Sequence, residues 1–443
     1  MKKSHSRILC ALLALCFILP ALAGCRINGS DGSCALTEPD YSPMQGGDVE
    51  YLTSREFNPD RTAKEVSNDF RKAYADFALK LMNESRSEFE GDALLVSPLS
   101  ALIALAMTAN GAEGETLAEM EAVLGGGMSI ENLNEQLFNY AASLKSTDDA
   151  KFNLANAVWI TNNPSFSINK NFVKVIENTF DADIVAADLP NSIKNINDWA
   201  KEETFGMIPS ILNDGDLDTD TVMVLLNALA LDALWAKQAD SKYECFEGEF
   251  RGIDESIQKV TYMHTECEGY VESKNSVGVV KSYKGGNYAF LAILPEGNVY
   301  EYAASLSGKD LLKLYDNRIK AGGNVEVSAK IPHFSFDCKI EMKEVLKKMG
   351  LTKAFDSSAA DLSGIGVDSR GNLYVSRVIQ KTHIDLDNSG TRAAAVTAVT
   401  FKSEGCIMNA KYYSVNFDRP FIYAIIDTEN GLPIFIGVCE NIG

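Results

Sequence analysis

Side chains able to perform catalysis are few in this chain of 443 residues. Only three histidines lie beyond the first 25 residues, namely His264, His333 and His383. The sequence contains no G-x-S-x-G, H-E-x-x-H or G-x-x-x-x-G-K-[ST] motif, so the parts of the common hydrolase and phosphate-binding sites are missing. We therefore predict no catalytic residue, no metal site and no cofactor. Each histidine is expected to be a surface residue or a hydrogen-bonded strand residue.

The cysteine best placed for chemistry is Cys25. It ends the segment Leu22-Ala23-Gly24-Cys25, which follows a basic start and an apolar run over residues 8–19. This segment resembles the lipobox of bacterial lipoproteins, in which the thiol receives a diacylglycerol. The resemblance implies that residues 1–24 are a signal peptide and that Cys25 anchors the protein to the outer face of the bacterial cell membrane. An ordinary secretory signal peptide is the alternative.

The other cysteines give no comparable pattern. Beyond Cys25 they are widely scattered and include no C-x-x-C pair: Cys34, Cys245, Cys267, Cys338, Cys406 and Cys439. Neither a zinc site nor a disulfide framework is indicated, although one or two disulfides remain open. Residues 25–63 are rich in Gly, Ser, Asp and Pro and lack apolar periodicity, which predicts a flexible, lipid-anchored linker.

A run of small residues that begins at Gly390 has the spacing of a strand with one buried face. Its alternate residues are small or β-branched and uncharged: Thr391, Ala393, Ala395, Thr397 and Val399. The other set begins with Arg392, which would face solvent. Gly390 supplies the backbone freedom of a hinge. Composition alone favours a plain buried strand over 391–401, because an exposed run of this kind promotes aggregation.

Elements that position these residues follow from periodicity and capping signals. Helices are predicted over 66–82, 98–110, 115–124, 169–180, 193–203, 308–318 and 339–350. At the second of these, Ser97 is the predicted cap and Pro98 takes the first helical position. Strands are predicted over 94–96, 153–161, 222–231, 278–281, 289–294, 325–331, 373–379, 393–401, 421–426 and 434–438. Runs of strands with occasional helices indicate an α+β fold with large mixed sheets. We find no internal linker or repeat, so residues 64–443 are predicted to form a single domain.

Charge and hydropathy exclude two classes of partner. Removing Lys2, Lys3 and Arg7 with the signal peptide leaves 38 basic against 61 acidic residues, a formal charge of −23. Such a surface repels nucleic acid and anionic lipid headgroups. Because no apolar run of 20 residues follows the first 25, contact with the membrane is expected through the lipid alone.

Short motifs spread over about 375 residues resemble, in order, those of the serpin family. They are Asn68–Leu81, Leu95–Ser100, Asn110–Thr116, Asn197–Ile208, Leu226–Ala228 with Trp235, the series from Pro332 to Phe355, Asp361–Ile365, Gly390–Thr400, Phe417–Phe421 and Pro433–Gly437. Each motif alone is weak evidence of a relationship. The resemblance depends on the motifs occurring together in the same order as in the family. It implies the serpin fold, in which large mixed β-sheets are surrounded by helices and carry an exposed reactive loop.

The resemblance also implies a function. Serpins of the inhibitory type are not enzymes: a target protease cleaves the loop, the loop inserts into a sheet as a new strand, and the acyl-enzyme is trapped. We therefore predict a monomer that forms a covalent complex with a serine protease or, as an alternative, a cysteine protease. The hinge of the loop matches Gly390, Thr391, Arg392, Ala393, Ala394, Ala395, Val396 and Thr397.

The bond that the protease cuts is predicted by counting along the family's loop. Counting from Thr391 places it at Glu404-Gly405, whereas counting back from Phe421 places it near Asn409, because this loop is about five residues longer than usual. Distance from the hinge fixes how far the strand inserts, so we prefer the first count. The alternative positions are Lys402, Ser403, Cys406, Ile407, Met408 and Asn409.

A hydrogen-bonded cluster that controls sheet opening in the family matches Ser97, Ser100, Asn227 and Gln380. Most serpins have histidine where this chain has Gln380. Since glutamine both donates and accepts hydrogen bonds, sheet opening should be retained without a response to pH.

Two alternative functions of the protein remain open. A non-inhibitory serpin would have bulky or charged inward hinge residues, and a solute-binding lipoprotein would have a two-lobed α/β pattern.

Overall fold

The computed structural model describes residues 41–43, 49–53, 62–240, 243–391 and 410–442. Pro39–Gly443 belong to one compact unit. The predicted signal peptide, Cys25 and the predicted loop from Arg392 to Asn409 lie outside the described residues. None of the helices in the described ranges combines the length and apolar character needed to span a bilayer.

The helices begin and end largely where capping signals occur. At the start of α2, the side chain of Ser97 accepts a hydrogen bond from the backbone N–H of Ser100, and Pro98 takes the first helical position. The described helices are α1 Asn68–Ser85, α2 Pro98–Ala109, α3 Gly114–Leu124, α4 Ile130–Ser143, α5 Lys170–Phe180, α6 Ile193–Glu203, α7 Val299–Ser305, α8 Gly308–Asp316 and α9 Met342–Met349. Helix α2 is apolar around most of its circumference because it is buried inside the unit.

The strands form four sheets in the described part of the chain. They are β1 Tyr41–Pro43, β2 Glu50–Tyr51, β3 Ala93–Val96, β4 Ala150–Thr161, β5 Phe166–Asn169, β6 Asp183–Ala187, β7 Met223–Leu234, β8 Cys245–Arg251, β9 Ile257–Glu266, β10 Gly269–Ser273, β11 Ser276–Ser282, β12 Tyr288–Pro295, β13 Ile319–Lys320, β14 Val325–Pro332, β15 Phe334–Glu341, β16 Gly366–Asp368, β17 Ile379–Leu386, β18 Gly390–Thr391, β19 Lys411–Asn416, β20 Phe421–Asp427 and β21 Leu432–Cys439.

One sheet, here called the main sheet, has the order β15-β17-β18-β7-β4-β6-β2. A second seven-stranded sheet, the central sheet, has the order β13-β10-β11-β12-β20-β21-β3. The four-stranded sheet β19-β14-β9-β8 receives the chain after the loop, through β19. A small sheet, β1-β5-β16, completes the set. This arrangement confirms the predicted α+β class.

The central sheet forms the core of the unit. Every residue of β12, β20 and β21 is buried, which requires cover on both faces. Helix α1 packs on β21, where the Tyr74 hydroxyl donates to the carbonyl oxygen of Pro433 at 2.8 Å. A hydrogen bond joins the main sheet to the central sheet: the Thr382 hydroxyl on β17 donates to the carbonyl oxygen of Leu95 on β3 at 2.9 Å.

Several predicted elements differ from the observed ones. Residues 373–378 were predicted as the start of a strand but form a loop, and the strand begins at Ile379. The predicted helix over 339–350 is a strand up to Glu341 and a helix only from Met342. Helices α4 and α7 were not predicted.

Two pieces of the segment predicted as a linker are paired in sheets. Strand β1 pairs with β5, and β2 pairs with β6 at the end of the main sheet. The backbone N–H of Leu52 also donates to the carbonyl oxygen of Ile184 at 2.8 Å. Because β6 would otherwise be an open edge with unpaired backbone groups, this pairing covers it. The described parts of residues 41–53 therefore belong to the folded unit and not to a free tether.

Candidate functional site

The main sheet has an opening between β7 and β17. The only described strand between them is β18, which consists of two residues. Gly390 and Thr391 lie opposite Leu234 and Ala233 of β7, and Thr391 also lies opposite Leu386 of β17. On their other sides both strands are paired along nearly their whole length, β7 with β4 and β17 with β15. Below Thr391, no strand of the described chain joins their facing edges, so their backbone groups are available to a new strand.

The space around position 390 admits only a glycine. An ideal Cβ built at this position would lie 2.1 Å from the carbonyl oxygen of Ala233 and 2.9 Å from the Cα atom of Leu234. From the sequence, the expected role of this glycine is backbone freedom. Its neighbours show that close approach to β7 already excludes a side chain.

Thr391 is the first residue of the predicted insertable set, and it is already in the sheet. Its side chain is buried, and its hydroxyl shares a short hydrogen bond with the hydroxyl of Tyr283. Tyr283 stacks on Trp235, with ring centroids 4.4 Å apart and an interplanar angle of 9°. The predicted inward orientation of Thr391 is therefore present before any cleavage.

Trp235 also holds the turn from which Thr391 emerges. Its indole N–H donates to the carbonyl oxygen of Asp387 at 2.8 Å, and its backbone N–H donates to that of Ser389 at 2.9 Å. The carboxylate of Asp387 accepts from the backbone N–H groups of Ser389 and Gly390. The roles of Tyr283 and Asp387 were missed from the sequence, because no spacing pattern links residues that meet only through tertiary contacts.

Cavities continue the opening below Thr391. The upper cavity, of about 10 Å³, is hardly large enough for one water molecule and is lined by Leu229, Leu231 and Ile384 together with Thr391 itself. The lower one, of about 90 Å³, extends between α2 and the facing parts of β7 and β17, and aliphatic and polar side chains both line it. A strand that enters along this path must displace its walls, and small uncharged inward side chains keep that displacement smallest.

The predicted sheet-opening cluster surrounds the lower cavity. Ser100, Asn227 and Gln380 line it, and Ser97 is bonded to both Ser100 and Gln380. Asn227 is not bonded to the other three: its amide donates to the side-chain oxygen of Asn156, and its own side-chain oxygen has no partner. The cluster is therefore divided by the opening, with Ser97, Ser100 and Gln380 on one side and Asn227 on the other.

Gln380 makes two buried hydrogen bonds to one residue. Its side-chain oxygen accepts from the backbone N–H of Ser97 at 3.0 Å, and its side-chain nitrogen donates to the carbonyl oxygen of Ser97 at 2.9 Å. The amide thus joins β17 to the start of α2. Because both groups of Gln380 are neutral, nothing in this contact titrates near pH 7.

Replacing Gln380 by alanine is expected to lower the free energy of unfolding by about 1–3 kcal/mol, because the buried backbone N–H of Ser97 loses its partner. The Ser97 carbonyl oxygen loses one of its two hydrogen bonds and keeps the one from the backbone N–H of Ala101. Urea unfolding of the intact protein measures the change. Gln136→Ala is the matched control, since Gln136 accepts a single exposed hydrogen bond from the backbone of Ser67; its effect should stay within roughly 0.5 kcal/mol. Equal losses in the two variants would contradict the structural role of Gln380.

A segment that follows α6 covers the opening. Met207 and Ile208 line the upper cavity, and Ile211, Leu212 and Leu217 line the lower one. The Lys381 ammonium on β17 donates to the carbonyl oxygen of Ser210 at 3.0 Å. Farther along, the guanidinium of Arg377 pairs with Asp216 at 2.7 Å. Burial opposes ionisation of this carboxyl, but the hydrogen bond from the backbone N–H of Asn213, together with Arg377, holds its pKa below the ordinary value. A strand entering the opening must displace this cover.

Other predicted site residues fall outside the described chain: the rest of the hinge from Arg392 to Thr397, and the positions from Lys402 to Asn409, including Glu404 and Gly405. In the described ranges, no group of three or more His, Cys, Asp or Glu side chains is arranged to hold a metal ion. The described cysteines Cys245, Cys267, Cys338 and Cys439 are free thiols.

The histidines are only partly as predicted. His264 is an exposed residue of β9, and His383 on β17 is bonded to Asp337 at 3.0 Å. His333 differs, because its buried Nε2 atom has no hydrogen-bond partner. Burial lowers the pKa of His333, which favours its neutral form.

Comparisons with known proteins agree with this geometry. A family model described as Serpin (serine protease inhibitor) matches residues 72–442. An uncharacterized serpin-like protein of Methanosarcina acetivorans is 28% identical over 382 residues, covering 84% of this chain and 86% of that protein. Human Serpin B7 is 28% identical over 370 residues, covering 80% of this chain and 94% of that protein.

Among solved structures, the thermophilic serpin tengpin in its native state has a TM-score of 0.82 and 38% identity, covering 89% of this chain and all of that one. The same serpin in its latent state has a TM-score of 0.74 and 37% identity, covering 86% of this chain. The fold thus agrees better with the native form. Serpins are generally protease inhibitors and not enzymes, although some members of the family are non-inhibitory. The family model, the relatives and the opening in the main sheet together show that this chain belongs to the serpin family.

Proposed function

We propose that this protein inhibits a protease by inserting the residues after Thr391 into the main sheet between β7 and β17. The observation that carries the proposal is the position of Gly390 and Thr391, which already occupy the first two places of the missing strand. The sequence continues with Ala393, Ala395 and Thr397 as the inward set. These small side chains suit the path below Thr391, where little space is free and larger side chains would overpack.

The chemistry belongs to the protease. Its nucleophile attacks the carbonyl carbon of the scissile bond, an ester or thioester forms, and the amine of the following residue leaves. Insertion then carries the attached enzyme away from the loop position before water completes hydrolysis. Strand insertion of this kind is a known mode of β-strand addition in serpins. The segment after α6 must move as the strand enters, because Ile208 and Ile211 face the path.

A panel of serine and cysteine proteases tests the proposal. We expect at least one enzyme to yield a covalent complex that survives denaturing electrophoresis, together with a released C-terminal peptide. Mass spectrometry of that peptide identifies the bond, which we place at Glu404-Gly405; an enzyme that prefers glutamate is therefore the first choice. Cleavage of the loop by every enzyme without any complex would contradict inhibition.

We also propose that Cys25 carries a lipid that holds the protein at the outer face of the cell membrane. The support is the sequence Leu22-Ala23-Gly24-Cys25 behind a basic start and an apolar run. In a bacterial host, Cys25→Ser is expected to move the protein from the membrane fraction to the soluble fraction, because a stable anchor requires acyl chains. Cys34→Ser is the control and should remain in the membrane fraction. Equal partitioning of both variants would contradict lipidation at Cys25.

A further inference from the structure

A lysine lies fully buried beside the hinge. Lys281 is on β11 of the central sheet, directly after the apolar sequence Val277-Gly278-Val279-Val280, and none of its surface is exposed. A buried ammonium is destabilising unless oxygen acceptors surround it. Lys281 has them: the carbonyl oxygen of Lys237 at 2.8 Å, the hydroxyl of Thr265 at 2.8 Å and the carbonyl oxygen of Glu266 at 3.3 Å. All three N–H groups of the ammonium can therefore be used.

The ammonium also faces the aromatic pair that contacts the hinge. Its nitrogen lies 5.1 Å from the ring centroid of Trp235, within the range of a cation–π interaction. Trp235 stacks on Tyr283, whose hydroxyl is bonded to Thr391. Lys281 is thus connected to the first hinge side chain through two aromatic rings.

A second connection runs through the backbone. The carbonyl oxygen of Lys237, which Lys281 binds, belongs to the segment that follows β7. Two residues before Lys237, the backbone N–H of Trp235 donates to the carbonyl oxygen of Ser389. Two residues after it, the backbone N–H of Ala239 donates to the carbonyl oxygen of Asn388. Lys281 therefore fixes the segment on which the turn over 387–390 rests, from both the ring side and the backbone side.

We infer that Lys281 is a positioning residue of the hinge. Its ammonium fixes Trp235 and the carbonyl of Lys237, and these hold the turn over 387–390, which keeps Gly390 and Thr391 between β7 and β17 as the start of the strand that insertion would extend. Only the last step of this role, the extension of the strand by insertion, rests on the proposed inhibitory function. The effect on the hinge itself exists in the uncleaved protein and is measurable without any protease.

The charges around Lys281 define its pH dependence. The groups that face it are Glu266, Cys267 and Glu268 at the end of β9 and beyond, Glu244 before β8, and Lys237 after β7. Burial is the largest influence and lowers the pKa of Lys281 despite the nearby acidic groups. Burial also raises the pKa of the Cys267 thiol to about 12, so the thiol is neutral while Lys281 titrates. As the pH rises through this lowered pKa, the ammonium and its attraction to Trp235 are lost.

Hydrogen exchange of the uncleaved protein tests the inference. In Lys281→Met we expect the backbone amides of Trp235, Ala239 and Gly390 to exchange at least about tenfold faster than in the parent. Lys284→Met is the matched control: Lys284 lies just beyond β11, its side chain is 53% exposed, and it pairs with Asp149. It should leave these amides unchanged. A folded Lys281→Met protein with parental exchange at all three amides would overturn the inference.

Fluorescence of Trp235 provides a test that needs no substitution at Lys281. With Trp159 and Trp199 replaced by phenylalanine, Trp235 is the single tryptophan left, since the sequence has three. Its emission should change at a pH below 10.5, the ordinary pKa of lysine, because burial lowers the pKa of Lys281. Emission that stays constant at every pH up to 10.5 would overturn the inference even if Lys281→Met failed to fold.

The trapped fraction of protease separates this inference from the proposed function. If the parent forms a covalent complex, Lys281→Met should trap a smaller fraction at equal concentrations, because a loosened hinge slows insertion relative to hydrolysis. If the parent forms no complex with any protease, the proposed inhibition fails, whereas the exchange and fluorescence results still decide the role of Lys281.

Discussion

With arginine in place of Thr391, the protein is expected to become a substrate: the protease cuts the loop, leaves, and little covalent complex accumulates. Thr391 is 4% exposed and has β7 on one side and β17 on the other. Its hydroxyl meets Tyr283, so the space beside it is already filled. An arginine here must either bury an unpaired charge or keep the strand out of the opening.

The expected size of the effect follows from a competition between two rates. Insertion competes with hydrolysis of the acyl-enzyme. Each increase of about 1.4 kcal/mol in the insertion barrier lowers the ratio of the insertion rate to the hydrolysis rate about tenfold. Burying an uncompensated charge costs several kcal/mol. We therefore expect the number of inhibitor molecules consumed for each trapped protease to rise by at least about tenfold. Titration of a fixed amount of protease with parent and variant measures this number.

Thr62→Arg is the matched control, because it adds the same charge at an exposed threonine of the described chain. It should trap protease as the parent does. A Thr391→Arg protein that gives covalent complex in parental yield would show that Thr391 is not the first inserted residue, and that the hinge begins elsewhere.

Much of the architecture could be predicted from local signals. Helix α6 has both of its predicted ends, and α2 begins at the predicted Ser97-Pro98 cap. Errors arose where two patterns compete. Over 334–341 the buried residues alternate, as in a strand, and the helical sequence begins only at Met342. Over 373–378 Leu373 and Val375 are buried as in a strand, but the segment is a loop in which the backbone N–H of Val375 donates to the carbonyl oxygen of Ala354.

The site was predictable only in part, for a physical reason. The inward set that starts at Thr391 has a period of two, and period is a property that a sequence displays. The partners of that set are distant in the chain: Tyr283 lies 108 positions before Thr391, and Trp235 lies 152 before Asp387. One local signal was present, since Lys281 is a charged residue directly after the apolar run of β11 and still inside the strand. A buried cation needs several oxygen acceptors, and their presence cannot be read from β11 alone.

The second large effect concerns stability after cleavage. We expect the protein cut within its loop to unfold at a temperature at least about 10 °C higher than the intact protein. For about 380 residues, with an unfolding entropy of roughly 2.1 cal/mol/K per residue, this corresponds to on the order of 10 kcal/mol. In the described part of the uncut protein, no strand joins the facing edges of β7 and β17 below Thr391, and we propose that the cut releases a segment able to pair with both.

Thermal unfolding followed by circular dichroism measures the gain, and any protease that cuts between Lys402 and Asn409 is suitable. The experiment is therefore independent of the natural target. The control is Thr391→Arg cut at the same bond, which has the same chain break. Because its strand cannot insert beyond the first position, its unfolding temperature should stay near that of the same variant before cleavage.

This measurement separates an inhibitor from a plain substrate of the same family. A serpin that is cut without inserting its loop gains no new strand, and breaking one chain bond gives no reason for added stability. If the parent unfolds at the same temperature before and after cleavage, the opening between β7 and β17 does not accept the loop, and the proposed trapping of proteases fails with it. If the parent gains stability and Thr391→Arg does not, the added strand begins at Thr391, because the two cut proteins differ only there.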